Sequence, residues 1–259
     1  MRLSRYPASF SRVLSVDDEE VRAAAAGELV KRQYVRRIFS EIAPRYDLLN
    51  HILSFNIDRA WRLQAIEALA WTREPGGTYL DLCAGTLDVG VALASQPGFR
   101  GRVIGADFAE PMLRAGVTKA RGRSLSPVAA DALDLPLADQ SMSGAIVAFG
   151  IRNVADLDAG LREVHRVLRA GSRFVILEFT TPPVALVREL YHLYFKHILP
   201  RVGAMVSGHP TAYRYLPESV ARFPEAESLA IRMQDAGFSD VHWTRVTLGV
   251  AAIHSGTRA

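Results

Sequence analysis

The chain has 259 residues, of which 49% are hydrophobic and 22% are charged, and its formal net charge is +4. This length and composition allow a sizeable core, and the lack of a run of about 18 apolar residues argues against a transmembrane helix. The small positive charge needs no explanation beyond solubility, and no motif supports nucleic-acid binding. Cys83 is the single cysteine, which excludes an internal disulfide and a cysteine-rich metal site. We therefore predict no metal.

The first 33 residues are predicted to form an arm followed by a helix. The opening "MRLSRYPASFSRVL" contains three arginines, several serines and no acid. It superficially resembles an organelle transit peptide but lacks the apolar core of a secretory signal. We favour a disordered bacterial arm, and thus a cytoplasmic protein, over organelle targeting. Asp17 and Asp18 mark a helix start, and helix continues until Pro44 stops it. We place a domain boundary between residues 33 and 34, with one domain over 34–259.

From residue 78 onwards, short apolar runs alternate with helical patterns. The alternation predicts a mostly parallel sheet with helices on both faces, and the near-continuous apolar strands suit burial on both sides. Two more strands, "FSDVHWTRV" and "GVAAIHSG", are predicted to form an antiparallel pair near the end of the chain. The five earlier strands are expected at 78–84, 102–108, 125–131, 144–150 and 172–179, with helices at 87–95, 110–121 and 156–169.

Residues 180–224 differ from the alternating pattern. "VALVRELYHLYFKHIL" has the apolar spacing of a helix, and the stretch after it is rich in glycine, proline and aromatic residues. We predict an insertion or lid over the strand ends.

Polar or small residues recur where five successive predicted strands end. Ligands of open parallel sheets bind at this edge. A carboxylate after the second strand can accept both hydroxyls of a ribose. The first turn lacks the G-x-G-x-x-G spacing that a pyrophosphate needs, so it better suits a nucleoside without phosphates, such as S-adenosylmethionine. The residues are Gly85 and Thr86, Asp107, Asp131 and Ala132, Arg152 and Asn153, and Glu178.

Several longer motifs carry a specific resemblance. "IFSEIAPRYDLLNHILSFNIDRAWR", "LDLCAGTLD", "GADFAEPML", "AFGIRNV", "HRVLRAGSRFVILEF" and "AYRYLPESVARFP" resemble the signatures of the ubiquinone/menaquinone-biosynthesis C-methyltransferase family. The resemblance covers about residues 34–256. It implies a Rossmann-like class I methyltransferase fold with a seven-stranded sheet. It also implies S-adenosylmethionine-dependent methylation of a ring carbon of a polyprenylated quinol.

The same resemblance implies roles for individual residues. Arg152 and Asn153 are expected to be catalytic. Two of these residues have a structural alternative. Asp81 could cap a turn instead of binding the cofactor, and Arg152 could form an ion pair with Glu178 instead of acting in catalysis. Cofactor contacts are expected from Asp81, Gly85, Thr86, Asp107, Phe108, Asp131, Ala132 and Ala148. Substrate contacts are expected from Tyr46, Asn50, Phe149, Tyr213 and Arg214.

The chemistry suggests what Arg152 is needed for. A phenol with a pKa near 10 is only about 0.1% ionised at pH 7, and a guanidinium favours the phenolate that makes the ring carbon nucleophilic. The insoluble polyprenyl tail requires an apolar groove or peripheral membrane contact. A homodimer is an open alternative. So are a methyltransferase for another lipophilic small molecule and a non-catalytic quinol-binding paralogue.

Leu87 is the reason for considering a non-catalytic quinol-binding paralogue, because the resemblance implies glycine after Gly85 and Thr86. Glycine permits a positive φ and close approach of a ligand. Either the loop shifts to an ordinary φ and weakens the cofactor site, or the leucine side chain blocks the site. We favour the first.

Overall fold

The computed structural model describes residues 29–43, 54, 56–194, 197 and 212–259. Within them lies one seven-stranded sheet of order β3-β2-β1-β4-β5-β7-β6. The first five strands are parallel to one another, whereas β7 is antiparallel to both β5 and β6. The predicted fold and terminal pair are therefore confirmed. The strands are β1 (Thr78–Leu82), β2 (Arg102–Asp107), β3 (Leu125–Ala129), β4 (Met142–Ala148), β5 (Leu168–Phe179), β6 (Phe238–Val246) and β7 (Ala251–Arg258).

Helices cover both faces of the sheet, so alternate strand residues enter two separate cores. Tyr79 of β1 packs with residues of α2 and α3, and its neighbour Leu80 packs with residues of α5 and α8. This explains why the central strands are apolar on both sides. The described helices are α1 (Leu29–Ile42), α2 (Ile57–Ala68), α3 (Asp88–Ala94), α4 (Glu110–Ala120), α5 (Leu157–Val167), α6 (Ala185–Leu193), α7 (Ala212–Arg222) and α8 (Ala226–Asp235). None of them is long and apolar enough to cross a bilayer.

The structure differs from the expected elements in three places. The boundary expected between residues 33 and 34 falls inside α1, which packs on the domain, and the arm before residue 29 lies outside the described residues. In the expected lid segment, α6 is the helix that the apolar spacing predicted, whereas α7 is a further helix that was not predicted. Helix α8 was not predicted, although its buried residues Ala226, Leu229, Ala230 and Met233 have helical spacing.

A buried histidine joins α8 to the sheet. His254 of β7 is 1% exposed, and its Nε2 lies 2.8 Å from the carbonyl oxygen of Ala226, the first residue of α8. Its ring stacks on Trp243 of β6. Burial lowers the pKa of His254 to about 4, so the ring is neutral near pH 7 and Nε2 donates to the carbonyl.

We expect the contribution of His254 to the free energy of unfolding to decrease as the pH falls from about 6.5 to about 4. In this window the unfolded chain protonates His254 while the folded chain keeps it neutral, so protons favour unfolding. The full effect is at most roughly 3 kcal/mol. Denaturant unfolding should show that the free energy of unfolding of the wild type, relative to that of His254→Gln, decreases over this window. His242→Gln, at an exposed position of β6, is the control and should keep the wild-type profile; an unchanged profile in His254→Gln contradicts this account.

Candidate active site at the carboxyl edge of the sheet

A cavity opens where the first four strands end. Its lining comes from these strand ends, from the loops that follow them and from Phe39 of α1. It includes six of the eight expected cofactor residues, together with Phe149 and Asn153. The lining residues are Phe39, Leu82, Cys83, Gly85, Ala106, Asp107, Phe108, Met112, Ala130, Asp131, Ala132, Ala148, Phe149, Gly150, Asn153, Val154 and Ala155.

Asp107 connects the first two strand ends. Its Oδ2 accepts the amide hydrogen of Gly85 and its Oδ1 that of Ala109, both at 2.8 Å between heavy atoms. Gly85 has φ +52°, a conformation that glycine adopts without a Cβ penalty. Burial raises the pKa of Asp107, and the two amide hydrogen bonds lower it. Each carboxylate oxygen retains a second lone pair, so Asp107 can still accept ligand hydroxyls.

The loops after β1 and β4 touch each other between these two neighbouring strands. A Cβ built on Gly150 would lie 2.3 Å from the Cβ of Cys83, so this approach requires glycine. Cys83 and Phe149 both have positive φ, at 52° and 60°. The strand order reverses between β1 and β4, so the cavity lies at the topological switch point, where ligands of open sheets bind.

Two expected cofactor residues, Asp81 and Thr86, are buried and do not lie on this lining. The Oδ2 of Asp81 accepts the amide hydrogen of Gly90 at 2.8 Å, in the first turn of α3. This is the turn-capping arrangement named as the alternative for Asp81. Burial raises the pKa of Asp81 to about 7.

Both expectations for Leu87 are wrong. Its φ is 69°, so the loop keeps the left-handed conformation. Its side chain is fully buried in the core and does not line the cavity. It fills the space left by two glycines, because a Cβ on Gly105 or Gly116 would lie only 2.6 Å or 3.0 Å from Leu87 carbons. Burying a leucine stabilises by about 1.5–3 kcal/mol, which offsets a left-handed penalty of about 1–2 kcal/mol.

Arg152 is held in a buried ion pair beside the cavity. Its Nη1 lies 2.7 Å from Oε1 of Glu178 and also donates to the carbonyl of Phe149. Its Nε donates to the hydroxyl of Ser219 on α7. The ion-pair alternative is thus the observed arrangement, and Arg152 does not lie on the lining. Whether Arg152 acts on the substrate stays a prediction.

Asn153 does line the cavity. Its Oδ1 is buried, and no hydrogen-bond donor reaches it from the described part of the chain. A buried amide oxygen without a donor is costly, so a ligand hydroxyl is a favourable partner for it.

The expected substrate residues are only partly described. Phe149 lines the cavity. Tyr46 and Asn50 lie outside the described residues. Tyr213 and Arg214 belong to α7, and their side chains lie outside the described part as well.

Sequence reasoning missed the contribution of α1. Phe39 lines the cavity and packs against Ala43, Ala109 and Met112. The apolar spacing of Val35, Ile38 and Phe39 on a helix indicates a buried face, but not the surface that covers it.

The lining fits S-adenosylmethionine in its nucleoside part. Asp107 supplies acceptors for ribose hydroxyls, and Asp131 supplies a carboxylate after β3. Phe39, Phe108 and Met112 supply apolar surface for an adenine ring.

Comparisons with known proteins agree with this geometry. The ubiE/COQ5 methyltransferase family matches residues 28–258. The chain belongs to this family. It is 48% identical over 224 residues to the demethylmenaquinone methyltransferase of Thermus thermophilus, covering 85% of this chain and all of that protein. It is 39% identical over 232 residues to the ubiquinone/menaquinone biosynthesis C-methyltransferase UbiE of Geotalea daltonii, covering 88% and 97%.

A solved structure supports the fold of this ubiE/COQ5 family member. The SAM-dependent methyltransferase of Thermotoga maritima, a possible histamine N-methyltransferase, superposes with a TM-score of 0.60 at 19% identity, covering 86% of this chain and 99% of that one. The class I methyltransferase fold is thereby confirmed.

We expect Leu87→Ala to destabilise the protein by about 3–5 kcal/mol, because it removes a fully buried side chain. Leu87→Gly should be about 1–2 kcal/mol more stable than Leu87→Ala, because glycine relieves the left-handed strain. Denaturant unfolding measures both differences.

Leu93 of α3, which is also fully buried, provides the matched control. There glycine should be less stable than alanine by about 1 kcal/mol, because the backbone is helical. If the glycine variant is less stable than the alanine variant at both positions, or more stable at both, the account of Leu87 is contradicted.

Proposed function

We propose that the chain is an S-adenosylmethionine-dependent C-methyltransferase that methylates a ring carbon of a polyprenylated demethyl-quinol in menaquinone or ubiquinone biosynthesis. The observation that carries the proposal is the Asp107 carboxylate, fixed by two amides on the wall of the switch-point cavity. The names of the Thermus and Geotalea relatives support the quinol substrate.

The residues on the lining would divide the cofactor between them. Asp107 would accept the ribose hydroxyls. Asp131, whose Oδ1 also accepts the amide hydrogen of Leu133 at 2.9 Å, would meet the adenine edge with Ala132. The phenyl rings of Phe39 and Phe108 would exclude water from the adenine.

The acceptor ring needs orientation and a route to its phenolate. S-adenosylmethionine, when bound, supplies a methyl group on a sulfonium sulfur that leaves with the bonding electron pair. The Oδ1 of Asn153, which no donor of the described residues reaches, would accept a hydrogen bond from a quinol hydroxyl and fix the ring. Correct orientation alone can lower a barrier by several kcal/mol, up to about 7–11 kcal/mol in ideal cases.

The contacts of Arg152 support a positioning role. Its charge is balanced by Glu178, which weakens any direct effect on a phenolate. At the same time its guanidinium holds the carbonyl of Phe149, a lining residue, and Ser219 of α7. Arg152 would therefore fix the position of the turn after β4 relative to helix α7, so that both are placed correctly around the acceptor.

The position of Leu87 bears on the alternative functions. A non-catalytic quinol-binding paralogue was kept open by the leucine in the cofactor loop, but the leucine points into the core. The loop is therefore compatible with a cofactor. A different lipophilic acceptor remains the competing enzyme hypothesis, and substrate assays separate it from the proposal.

The surface of α6 supports peripheral contact with lipid. Leu186, Leu190 and Leu193 are each more than half exposed and share one helix face, while Tyr191 is buried on the other. An exposed apolar stripe of this kind suits the interface of a bilayer. Such contact would bring a polyprenylated substrate to the enzyme.

The proposal is tested by S-adenosylhomocysteine binding in a calorimeter and by methyl transfer to short-chain demethylmenaquinol and demethylated benzoquinol. We expect binding, and a methylated ring carbon in one of the quinols by mass spectrometry and NMR. Asp107→Ala should weaken binding by about 10–100-fold. Asp235→Asn, at an exposed position of α8, is the control. Binding without transfer to either quinol contradicts the proposed substrate, and no binding contradicts the proposed enzyme.

Two variants separate the positioning role of Arg152 from a purely structural one. Arg152→Met alone leaves Glu178 buried and unpaired, so we expect a loss of about 3–5 kcal/mol in unfolding free energy. Arg152→Met combined with Glu178→Leu removes both charges and should recover most of that loss. Its kcat should nevertheless stay about 100-fold below wild type, because the turn after β4 is misplaced. Recovery of kcat together with stability would show that the pair is only structural.

A further inference from the structure

A second buried arginine lies close to the ring of Phe149. Arg62 of α2 forms an ion pair with Asp58 and has a side chain that is 10% exposed. Its Cζ lies 5.7 Å from the centroid of the Phe149 ring. The other carboxylate oxygen of Asp58 accepts the hydroxyl of Ser54 at 2.6 Å. Arg62 is thus held in place beside the ring of Phe149, a lining residue of the cavity.

We propose that Arg62 binds the α-carboxylate in the methionine portion of the cofactor. The inference rests on the proposed function and adds a binding residue to it.

The charge of the cavity favours a cation near the carboxylate of the ligand. S-adenosylmethionine carries a carboxylate at its amino-acid end. In the part of the chain that the structure describes, the lining holds two charged side chains, Asp107 and Asp131, both acidic. A carboxylate placed there without a cation would be repelled by both and would lose its hydration. A cation close to the lining would offset this repulsion, and the guanidinium of Arg62 lies beside the ring of Phe149.

The charge of Arg62 is felt at the carboxyl end of β1. Its positive charge lowers the pKa of Asp81 at the carboxyl end of β1, against the burial that raises it. The loop after β1 is the one expected to hold the methionine portion. Arg152, in contrast, is committed to Glu178 at the end of β5 and to Phe149 and Ser219.

The guanidinium of Arg62 has donors left for a ligand. Among the described residues only its Nη1 takes part in a hydrogen bond, to Asp58. A guanidinium carries five donors in a planar fork that matches a carboxylate. Asp58 and Ser54 fix one edge of the fork, which leaves another for a bidentate contact. A buried ion pair seldom stabilises a fold more than apolar packing does, so a ligand role gives a reason for its presence.

The test compares two ligands that differ in the amino-acid portion. S-adenosylhomocysteine carries the carboxylate, and 5′-methylthioadenosine lacks the entire amino-acid end. Arg62→Gln should weaken S-adenosylhomocysteine binding by about 10–100-fold and change methylthioadenosine binding by less than about threefold. Arg62→Lys should recover part of the loss, because it retains the charge without the fork. Arg59→Gln, at an exposed position of the same helix, should change neither affinity.

A double variant guards against a folding defect. Arg62→Gln leaves Asp58 buried and unpaired, whereas Asp58→Asn with Arg62→Gln removes both charges and should recover thermal stability. If the double variant is stable and has lost affinity for S-adenosylhomocysteine alone, the assignment holds. An equal loss for both ligands, or no loss for either, overturns it. If wild type binds neither ligand, the proposed function itself fails, which is a distinct outcome.

Discussion

Both oxygens of the Asp107 carboxylate are held by backbone amides, and the geometry of the candidate site depends on this interaction. The amide of Gly85 comes from the loop after β1, and the amide of Ala109 precedes α4. One side chain therefore fixes the positions of two strand ends. Helix α4 in turn presents Met112 to Phe39, so that α1 closes the cavity from the side. A charge-assisted hydrogen bond of this kind is stronger than a neutral one, which suits a site that must be rigid before a ligand arrives.

Much of this edge could be predicted because the carboxyl ends of parallel strands meet there whatever the details of the loops. Gly85, Asp107, Asp131 and Asn153 line one cavity as the strand pattern indicated. The directions of individual side chains could not be predicted. Asp81 turns towards α3, because successive strand residues face opposite sides. The sequence shows no sign of this choice.

Leu87 illustrates the same limit more sharply. The sequence shows a leucine where the family resemblance implies glycine, and the local conclusion is a damaged cofactor loop. The structure resolves this through Gly105 of β2 and Gly116 of α4, which leave room for the side chain. Their proximity to the loop is a tertiary contact that the sequence around Leu87 does not indicate. The contacts of helix α7 and of Phe39 could not be predicted either. A helical pattern shows which face of a helix is buried, but not which part of the protein covers that face.

Left-handed backbones and buried charges occur next to the cavity. Cys83, Leu87 and Phe149 have left-handed backbones, and Arg62 and Arg152 lie near the rings of Phe149 and Phe179, whose centroids are 4.7 Å apart. Such costs persist where the surrounding packing enforces them, and they are common at functional sites. The core on both faces of the sheet supplies that packing. The site is thus built from energetically unfavourable groups that a stable α/β fold can hold in place.

The central claim is that the switch-point cavity is the cofactor site, with Asp107 as the ribose acceptor. A crystal structure of the protein with S-adenosylhomocysteine tests it most directly. The account predicts the ribose hydroxyls within hydrogen-bond distance of the Asp107 carboxylate, with the adenine next to Phe108 and Asp131. S-adenosylhomocysteine bound at another place on the protein, or bound here with its ribose away from Asp107, would contradict it.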